Sequence, residues 1–264
     1  YEKNNVLDND FKAEAKMQNQ NSFSFLDIDF ERRSGEITLF LLNILLLVFI
    51  TTYNYEQFFE VAKKSYLSSD THERVTAVIF SIIMAVGVIL FYFKGGFNFD
   101  EKAKNLKKLA KFWIFLNGVL ILTTIIKNTE YVSFFGLTYK RLGVYAFLIL
   151  AIIGLLISFI KITKQKTNAF LFNQMIWYFY GTILLCSFVN WGNIITHYNI
   201  SVNKGVEPIF LSGLNFNDEM RRDYFLQNKL DGLYLEISKE KEISRMQSNT
   251  FLSKALYYEF LPNK

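Results

Sequence analysis

Long uncharged apolar stretches occupy the middle of the sequence, and polar segments flank them. Five such stretches lie at about 36–53, 75–93, 109–126, 142–160 and 176–195. A helix needs about 20 mostly apolar residues to cross the hydrocarbon core of a bilayer. Within each stretch the apolar residues are clumped rather than spaced to leave one polar face. The pattern therefore predicts an all-α fold: a polytopic transmembrane helical bundle of about five spans with a small helical C-terminal tail.

The flanking segments predict a division of the chain into residues 1–33, 34–200 and 201–264. Residues 1–33 are polar and rich in Asn and Gln, which is typical of a linker, although FLDIDFERR is either a short strand or an interfacial segment. Residues 34–200 form the transmembrane domain. The helix-prone tail, 201–264, has roughly 60 residues, which is few for a hydrophobic core of its own. We therefore expect the tail to dock on another protein.

Turn and capping residues predict two helices in the tail. Asn217 or Asp218 is suited to cap a helix that runs to about Gln227. The Asp-Gly pair at 231–232 marks a turn. We expect a second helix over about 238–260.

The composition agrees with a membrane protein. Hydrophobic residues make up 51% of the 264-residue chain and charged residues 20%, against roughly a quarter in soluble domains. Cys186 is the only cysteine, so no internal disulfide can form. The chain starts at Tyr1 rather than Met. We therefore expect further sequence, spans included, upstream of Tyr1.

Basic residues are concentrated in short loops beside the apolar stretches. Residues 1–35 hold seven acids and five bases, and residues 205–264 hold nine acids and eight bases. Since the whole chain has a net charge of +5, the segment between them carries +8. This placement favours contact between the basic loops and anionic lipid headgroups. No basic surface interleaved with aromatic residues is evident, and we predict no nucleic acid partner.

The same charges predict an orientation in the membrane. One side would carry the N-terminal segment and the loops after the second and fourth spans, with eleven Lys and Arg residues near the membrane, against seven on the other side. Positively charged loops are retained in the cytoplasm. We therefore expect the loops after spans two and four in the cytoplasm and the C-terminal tail outside it.

The stretch 127–143, KNTEYVSFFGLTYKRLG, separates the third and fourth spans and is rich in cations and aromatic residues. One interpretation is that Lys140 and Arg141 are interfacial cations among belt aromatics. The other is that they bind an anion such as a lipid phosphate, which suits the planar fork of arginine. Gly136 would permit a tight turn there.

Five residues crowd the end of the fifth apolar stretch: Asn190, Trp191, Asn193, His197 and Asn199. Polar residues at such depth face protein or water rather than lipid. Two interpretations stay open: these side chains form hydrogen bonds between helices, or they contact a ligand.

His72 lies in the segment SSDTHERV, just before the second span. A helix start capped by Ser69 or Asp70 accounts for these polar residues. A metal or catalytic role for His72 has less support, because His197 is the only other histidine in the chain. We predict no catalytic residue, no metal site and no cofactor.

Four segments carry a resemblance to a known family: RRSGE, FYFKGGFNF, FWIFLNGVLILTTIIKNTEYVSFFGLTYKRLGVY and NWGNIITHYN. Over roughly residues 33–199 the chain resembles uncharacterised bacterial integral membrane proteins. Their family is catalogued as domain of unknown function forty-one seventy-three, with the related forty-one fifty-three. The resemblance implies a multi-pass protein of the bacterial cytoplasmic (inner) membrane, and it implies no activity or cofactor.

Three functions are compatible with these residues. The first is a cell-envelope scaffold or assembly component without catalysis, whose tail binds an envelope protein partner. The alternative is a transporter or flippase-like carrier of an anionic lipid-linked substrate, with Lys140 and Arg141 at the headgroup. A third is a membrane enzyme of lipid or glycan transfer that uses His72 or His197 as a base.

Overall fold

The computed structural model describes residues 27–59, 67–93, 96–214 and 217–249. Within these ranges the chain is helical and contains no strand. The helices are α1 (Ile28–Phe59), α2 (Leu67–Tyr92), α3 (Lys104–Phe135), α4 (Tyr139–Thr163), α5 (Asn168–Phe188), α6 (Trp191–Val202), α7 (Pro208–Ser212), α8 (Asp218–Gln227) and α9 (Leu233–Gln247). A 3₁₀ turn, Gly96–Asn98, lies between α2 and α3.

Four of the described helices, α1, α3, α4 and α5, are long and apolar enough to cross a membrane. The apolar described part of α2, Thr76–Tyr92, is shorter. A helix satisfies its backbone hydrogen bonds internally, which is the requirement for a segment that enters hydrocarbon. The all-α, polytopic membrane fold is thereby confirmed.

Helices α1 and α2 begin earlier than the spans predicted within them. Helix α1 begins at Ile28, so the strand interpretation of FLDIDFERR is wrong. Its first turn carries Asp29 and Glu31, whose negative charges favour the N-terminal end of a helix. Helix α2 begins at Leu67, and the proposed caps at positions 69 and 70 therefore lie inside the helix.

The stretch 127–143 is mostly helical. Helix α3 continues to Phe135 and α4 begins at Tyr139, which leaves a turn of residues 136–138. Gly136 has a φ of +81°, so the tight turn expected there is confirmed.

The fifth apolar stretch, predicted at 176–195, is divided between two helices. Helix α5 ends at Phe188 and α6 begins at Trp191. Between them, Asn190 has a non-helical backbone, and its side chain accepts a hydrogen bond from the Asn193 N–H at 3.0 Å. Asparagine offers the backbone such a local partner, which is why it favours helix N-termini over helix interiors.

The chain forms two compact units, which we call unit 1 and unit 2. The described part of unit 1 comprises residues 27–59, 67–93, 96–128 and 144–186. Its core is formed by buried apolar side chains of α1 to α4 and the loop before α3, including Leu39, Ile82, Ile89, Phe93, Leu106, Leu120 and Leu148. Helix α5 contributes little to this core, because Leu171 and Asn173 are its buried residues.

The described part of unit 2 comprises residues 129–143, 187–214 and 217–249. It therefore includes the described tail together with two segments that the sequence interpretation assigned to the transmembrane domain. Helix α6 packs against α8, and α9 packs against α7. The buried apolar residues in the described part of unit 2 are Tyr131, Val132, Leu137, Ile195, Leu211, Leu214 and Phe225.

The tail contains both predicted helices. Helix α8 runs from Asp218 to Gln227, as expected, with Asn217 in the N-cap position. The second helix, predicted over 238–260, is α9, which begins at Leu233 after the turn at 231–232. The helix ends at Gln247, with Ser248 in the C-cap position, so the prediction of one continuous helix to residue 260 is wrong. Residues 250–264 lie outside the described ranges.

Candidate functional site

Unit 2 contains five of the six residues that the sequence singled out for ligand binding. Lys140 and Arg141 lie in the first turn of α4, and Asn190, Asn193 and His197 lie at or in α6. The sixth, His72, lies in α2 of unit 1, and its side chain is outside the described part of the structure.

Arg141 is held by aromatic rings and a backbone carbonyl of its own unit. Its guanidinium carbon lies 4.2 Å from the centroid of the Tyr131 ring and 5.9 Å from that of Phe135. One of its N–H groups donates a hydrogen bond to the Gly136 carbonyl oxygen. Stacking on an aromatic face together with a directed hydrogen bond is a mode that lysine cannot reproduce. Arg141 thus fixes the turn between α3 and α4.

The turn at Gly136 accepts no side chain. A Cβ atom on Gly136 would lie 2.6 Å from the Lys204 carbonyl oxygen and 2.9 Å from Oδ1 of Asn199. Gly205 faces a similar constraint, with a φ of +62° and a Cβ position 2.9 Å from the Phe135 carbonyl oxygen. Glycine tolerates both the left-handed backbone and the close approach. Two backbone segments therefore approach each other closely here.

Asn199 joins these two segments. It is fully buried, and its Oδ1 accepts a hydrogen bond from the Leu137 N–H at 2.6 Å. Its Nδ2 donates to the carbonyl oxygens of Leu137 at 3.0 Å and Gly205 at 3.2 Å. Both ends of the amide are thus used, as burial of a polar group requires. We call the group Gly136, Leu137, Asn199 and Gly205 the turn lock.

The remaining predicted residues of unit 2 fall into two groups. Asn190 caps α6, and Oδ1 of Asn193 accepts a hydrogen bond from Nδ2 of Asn217 at 2.7 Å. Asn217 therefore uses its side chain to reach α6 rather than to cap α8. Lys140 and His197 are exposed.

Arg221 is a buried cation in unit 2 that the sequence analysis missed. It donates hydrogen bonds to the carbonyl oxygens of Leu211, at 2.8 Å, and Leu214, at the C-terminal end of α7. It also pairs with the Asp218 carboxylate, which accepts a second bond from Nζ of Lys239 at 2.8 Å. Burial by itself would raise the pKa of Asp218, but the Lys239 hydrogen bond and the Arg221 charge outweigh it and lower the pKa.

Lys161 is the corresponding buried cation of unit 1. It was counted among the basic residues of the loop after the fourth span, yet it lies in the last turn of α4 and is fully buried. Its Nζ donates to the Phe93 carbonyl oxygen at 3.1 Å and to Oδ1 of Asn168. Nδ2 of Asn168 in turn donates to the Leu90 carbonyl oxygen at 3.1 Å. Lys161 and Asn168 thus satisfy carbonyls at the C-terminal end of α2.

Asn98 completes this network from the 3₁₀ turn. Its Nδ2 donates to the carbonyl oxygens of Lys161, at 3.2 Å, and Lys166, at the C-terminal end of α4. The ends of α2 and α4 are therefore closed by one polar cluster, Asn98, Lys161 and Asn168, which we call the helix-end lock. In the described part of the chain, no carboxylate forms an ion pair with Lys161. The sequence carried one signal for this cluster, which is a lysine in the last turn of an apolar helix followed by an asparagine. The carbonyl groups that Lys161 and Asn168 bind in α2 lie far away along the chain, so the pairing itself could not be predicted.

Across residues 27–59, 67–93, 96–214 and 217–249, no three His, Cys, Asp or Glu side chains converge in a way that would hold a metal ion.

Comparison with known proteins assigns a family. No curated protein and no solved structure is significantly similar to this chain. Residues 11–218, which include all the candidate transmembrane helices, match the model of a domain of unknown function, DUF4153. This is the second of the two related families that the sequence resembles, and the match covers well over half of the chain. The protein therefore belongs to the DUF4153 family of domains of unknown function.

Proposed function

We propose that the protein is a membrane scaffold or assembly component without catalysis, which presents unit 2 to a protein partner in the cell envelope. The observation that carries this proposal is that the polar side chains of both locks bond to the chain's own backbone. Ligand sites instead place a few polar groups around a cavity that the ligand fills. Arg141, Asn190 and Asn193 are engaged within unit 2, which supports a structural role for them.

Two exposed apolar side chains of unit 2 are candidates for the partner contact. Ile209 in α7 is 75% exposed and Leu226 in α8 is 71% exposed. Their neighbours in the same helices, Leu211 and Phe225, are buried, so each helix already has its own core residue. Contiguous exposed apolar surface marks contact sites between proteins, and we take these two side chains as members of such a surface.

Site-specific photo-crosslinking tests this function. A photoreactive amino acid at position 209 or 226 should form a discrete adduct of defined mass in intact membranes, and mass spectrometry of the adduct identifies the partner. The matched controls are Glu219 and Arg222, which are exposed polar residues of α8. Leu226→Asp should remove the adduct formed from position 209. The proposal is wrong if positions 209 and 226 give no adduct, or the same adducts as the controls.

The carrier function is a second candidate. It is favoured by Lys140, which is exposed beside Arg141. It has less support than a scaffold, because Arg141 would have to leave the Tyr131 ring and the Gly136 oxygen to bind an anion. If this function is correct, Lys140→Gln should abolish co-purification of an anionic lipid with the full chain. Retention of the same lipid by the variant would exclude it.

We also propose the orientation predicted by the charges, with the loop after α4 in the cytoplasm, in a bacterial inner membrane. Because Cys186 is the only cysteine, Cys186→Ser provides a background for cysteine labelling. A membrane-impermeant maleimide should label Ser201→Cys in intact cells and Lys164→Cys after permeabilisation; both positions are exposed. The reverse labelling pattern would overturn the orientation.

A further inference from the structure

A groove of about 460 Å³ runs along the surface of unit 1 between α1 and α3. Its apolar walls include Phe40 and Leu41 of α1 and Leu109 of α3, and its polar lining includes Glu36 of α1 with Asn105 and Lys108 of α3. The polar residues precede the apolar ones along each helix. The two helices are both long and apolar enough to cross the membrane, so the groove runs from a polar end towards apolar surface.

Contacts on both sides of the groove hold α1 against α3 and the loop that precedes it. Before Glu36, Arg32 forms ion pairs with Asp29 at 2.7 Å and with Asp100 at 3.3 Å. After Leu41, the buried Asn43 donates a hydrogen bond to the Leu109 carbonyl oxygen at 3.1 Å. Asparagine side chains in transmembrane helices commonly form such hydrogen bonds between helices. The groove is therefore a formed feature rather than a gap between loosely placed helices.

Glu36 and Lys108 line the same groove but form no ion pair with each other or with any other described residue. Glu36 is half-buried and Lys108 is exposed. The polar end of the groove therefore offers one negative and one positive side chain that are not paired with each other. They complement a molecule that carries one charge of each sign attached to an apolar chain. A phospholipid with a zwitterionic headgroup has this arrangement.

We propose that the groove binds a phospholipid whose headgroup carries a primary amine. Lys108 and Asn105 donate hydrogen bonds to the phosphate, Glu36 accepts hydrogen bonds from the ammonium group, and an acyl chain lies along Phe40 and Leu41. A primary ammonium has N–H donors for the carboxylate, whereas a trimethylated amine has none. A purely anionic headgroup would leave Glu36 without a cation and close to like charge.

A transmembrane helix, from a second copy or from another protein, is a less suitable occupant of the groove. It would cover Glu36 and Lys108 without pairing them, and unpaired charges are costly to remove from water. A lipid keeps the headgroup at the water boundary, where both charged groups remain solvated while they bind it.

Native mass spectrometry of the full chain tests the proposal. The purified protein is incubated with equal amounts of phosphatidylethanolamine, phosphatidylcholine and phosphatidylglycerol in detergent micelles, and the retained lipid is counted. We expect preferential retention of phosphatidylethanolamine. Glu36→Gln should reduce that preference by about tenfold, since one charge-assisted hydrogen bond contributes on the order of 1.4 kcal/mol. Lys108→Gln should weaken retention of all three lipids.

Two control variants make the test specific. Glu101→Gln and Lys104→Gln remove exposed charges that do not line the groove, and they should leave the lipid ratio unchanged. The melting temperature of each variant shows that it is folded. Equal retention of the three lipids by the natural chain would overturn the proposal, as would an unchanged ratio in Glu36→Gln or the same change in the controls. A lipid-free dimer would show that a helix fills the groove instead.

Discussion

The described part of each unit buries one cationic side chain, and the two side chains have different hydrogen-bond acceptors. In unit 1, Lys161 donates to the Phe93 carbonyl oxygen and to the Asn168 amide oxygen, which are neutral acceptors. In unit 2, Arg221 donates to the Leu211 carbonyl oxygen and also pairs with a carboxylate, that of Asp218. Both cations therefore perform one task, which is to satisfy backbone carbonyls at a helix C-terminus.

The difference between the two cations follows from their surroundings. Lys161 lies in a helix suited to the membrane, and the partial negative charge at the end of α2 favours a cation there. Arg221 lies in the polar tail, where Asp218 is 45% exposed and remains hydrated while it pairs. The buried cation of unit 1 is thus stabilised by hydrogen bonds to neutral acceptors, whereas that of unit 2 is also stabilised by an ion pair. This difference predicts different responses to substitution and to pH.

The largest effect is expected for Lys161→Met. Methionine fills a similar volume but leaves the Phe93 carbonyl and the Asn168 amide oxygen without a donor, which should lower the free energy of unfolding by about 3 kcal/mol. Thermal unfolding of the purified protein in detergent measures the change. Lys164→Met, at an exposed position, is the control and should be nearly neutral. Equal stability of the two variants would show that the helix-end lock does not stabilise unit 1.

The next largest effect is expected at the turn lock, which depends on shape rather than charge. Gly136→Ala should destabilise by about 2 kcal/mol, because the Cβ atom overlaps the Lys204 carbonyl oxygen in a left-handed backbone. Gly143 has nothing within 4 Å of its Cβ position and is helical, so Gly143→Ala should be neutral or raise stability by less than about 1 kcal/mol. Protease resistance of the region 187–249 reports on unit 2, and equal resistance of both variants would contradict the prediction.

A smaller effect is expected for Arg221→Lys. Lysine keeps the positive charge but lacks the planar fork that reaches the Leu211 carbonyl, the Leu214 carbonyl and Asp218 together. We expect a loss of about 1 kcal/mol in the free energy of unfolding. Arg222→Lys changes an exposed neighbour and serves as the control. A neutral Arg221→Lys would mean that the planar fork of arginine is not required at this position.

The smallest expected effect is a loss of stability of unit 2 at low pH. The pKa of Asp218 in the folded chain lies below its ordinary value of 3.8, although burial opposes this shift, because Lys239 and Arg221 favour the carboxylate. Its contribution is complete at pH values above 3.8 and is lost as the pH falls through the lower folded value. Asp218→Asn should therefore flatten the decline of melting temperature as the pH falls below about 3.8. A parallel decline in the variant would assign the acid sensitivity to other groups.

The membrane character and the positions of the helices were accessible from the sequence. The clumped apolar stretches identified α1, α3 and α4 because a segment without charge over a bilayer thickness has one stable form, the helix. The boundaries were less accessible. Helix α5 ends before Asn190, whose side chain competes for the backbone, and hydropathy does not register that competition.

The candidate site was predicted in part. Arg141, Asn190 and Asn193 were singled out as polar residues near the membrane, and in the structure they bond within unit 2. Asn199 stood in the same cluster but was not separated from its neighbours. Its role depends on Leu137, which is 62 residues away along the chain, and no local pattern predicts that pairing.

The sequence by itself determined that this is a helical, multi-pass membrane protein, since the free energy of transferring uncharged apolar residues to hydrocarbon depends on composition and length alone. The tertiary structure decided which carbonyls the polar side chains satisfy. Nζ of Lys161 donates a hydrogen bond to the Phe93 carbonyl oxygen, 68 residues away along the chain. A residue that the sequence placed in a loop is therefore a buried member of the helix-end lock. The physical reason is that a helix end leaves its last carbonyls unpaired, and their partners come from whichever segment the fold brings beside them.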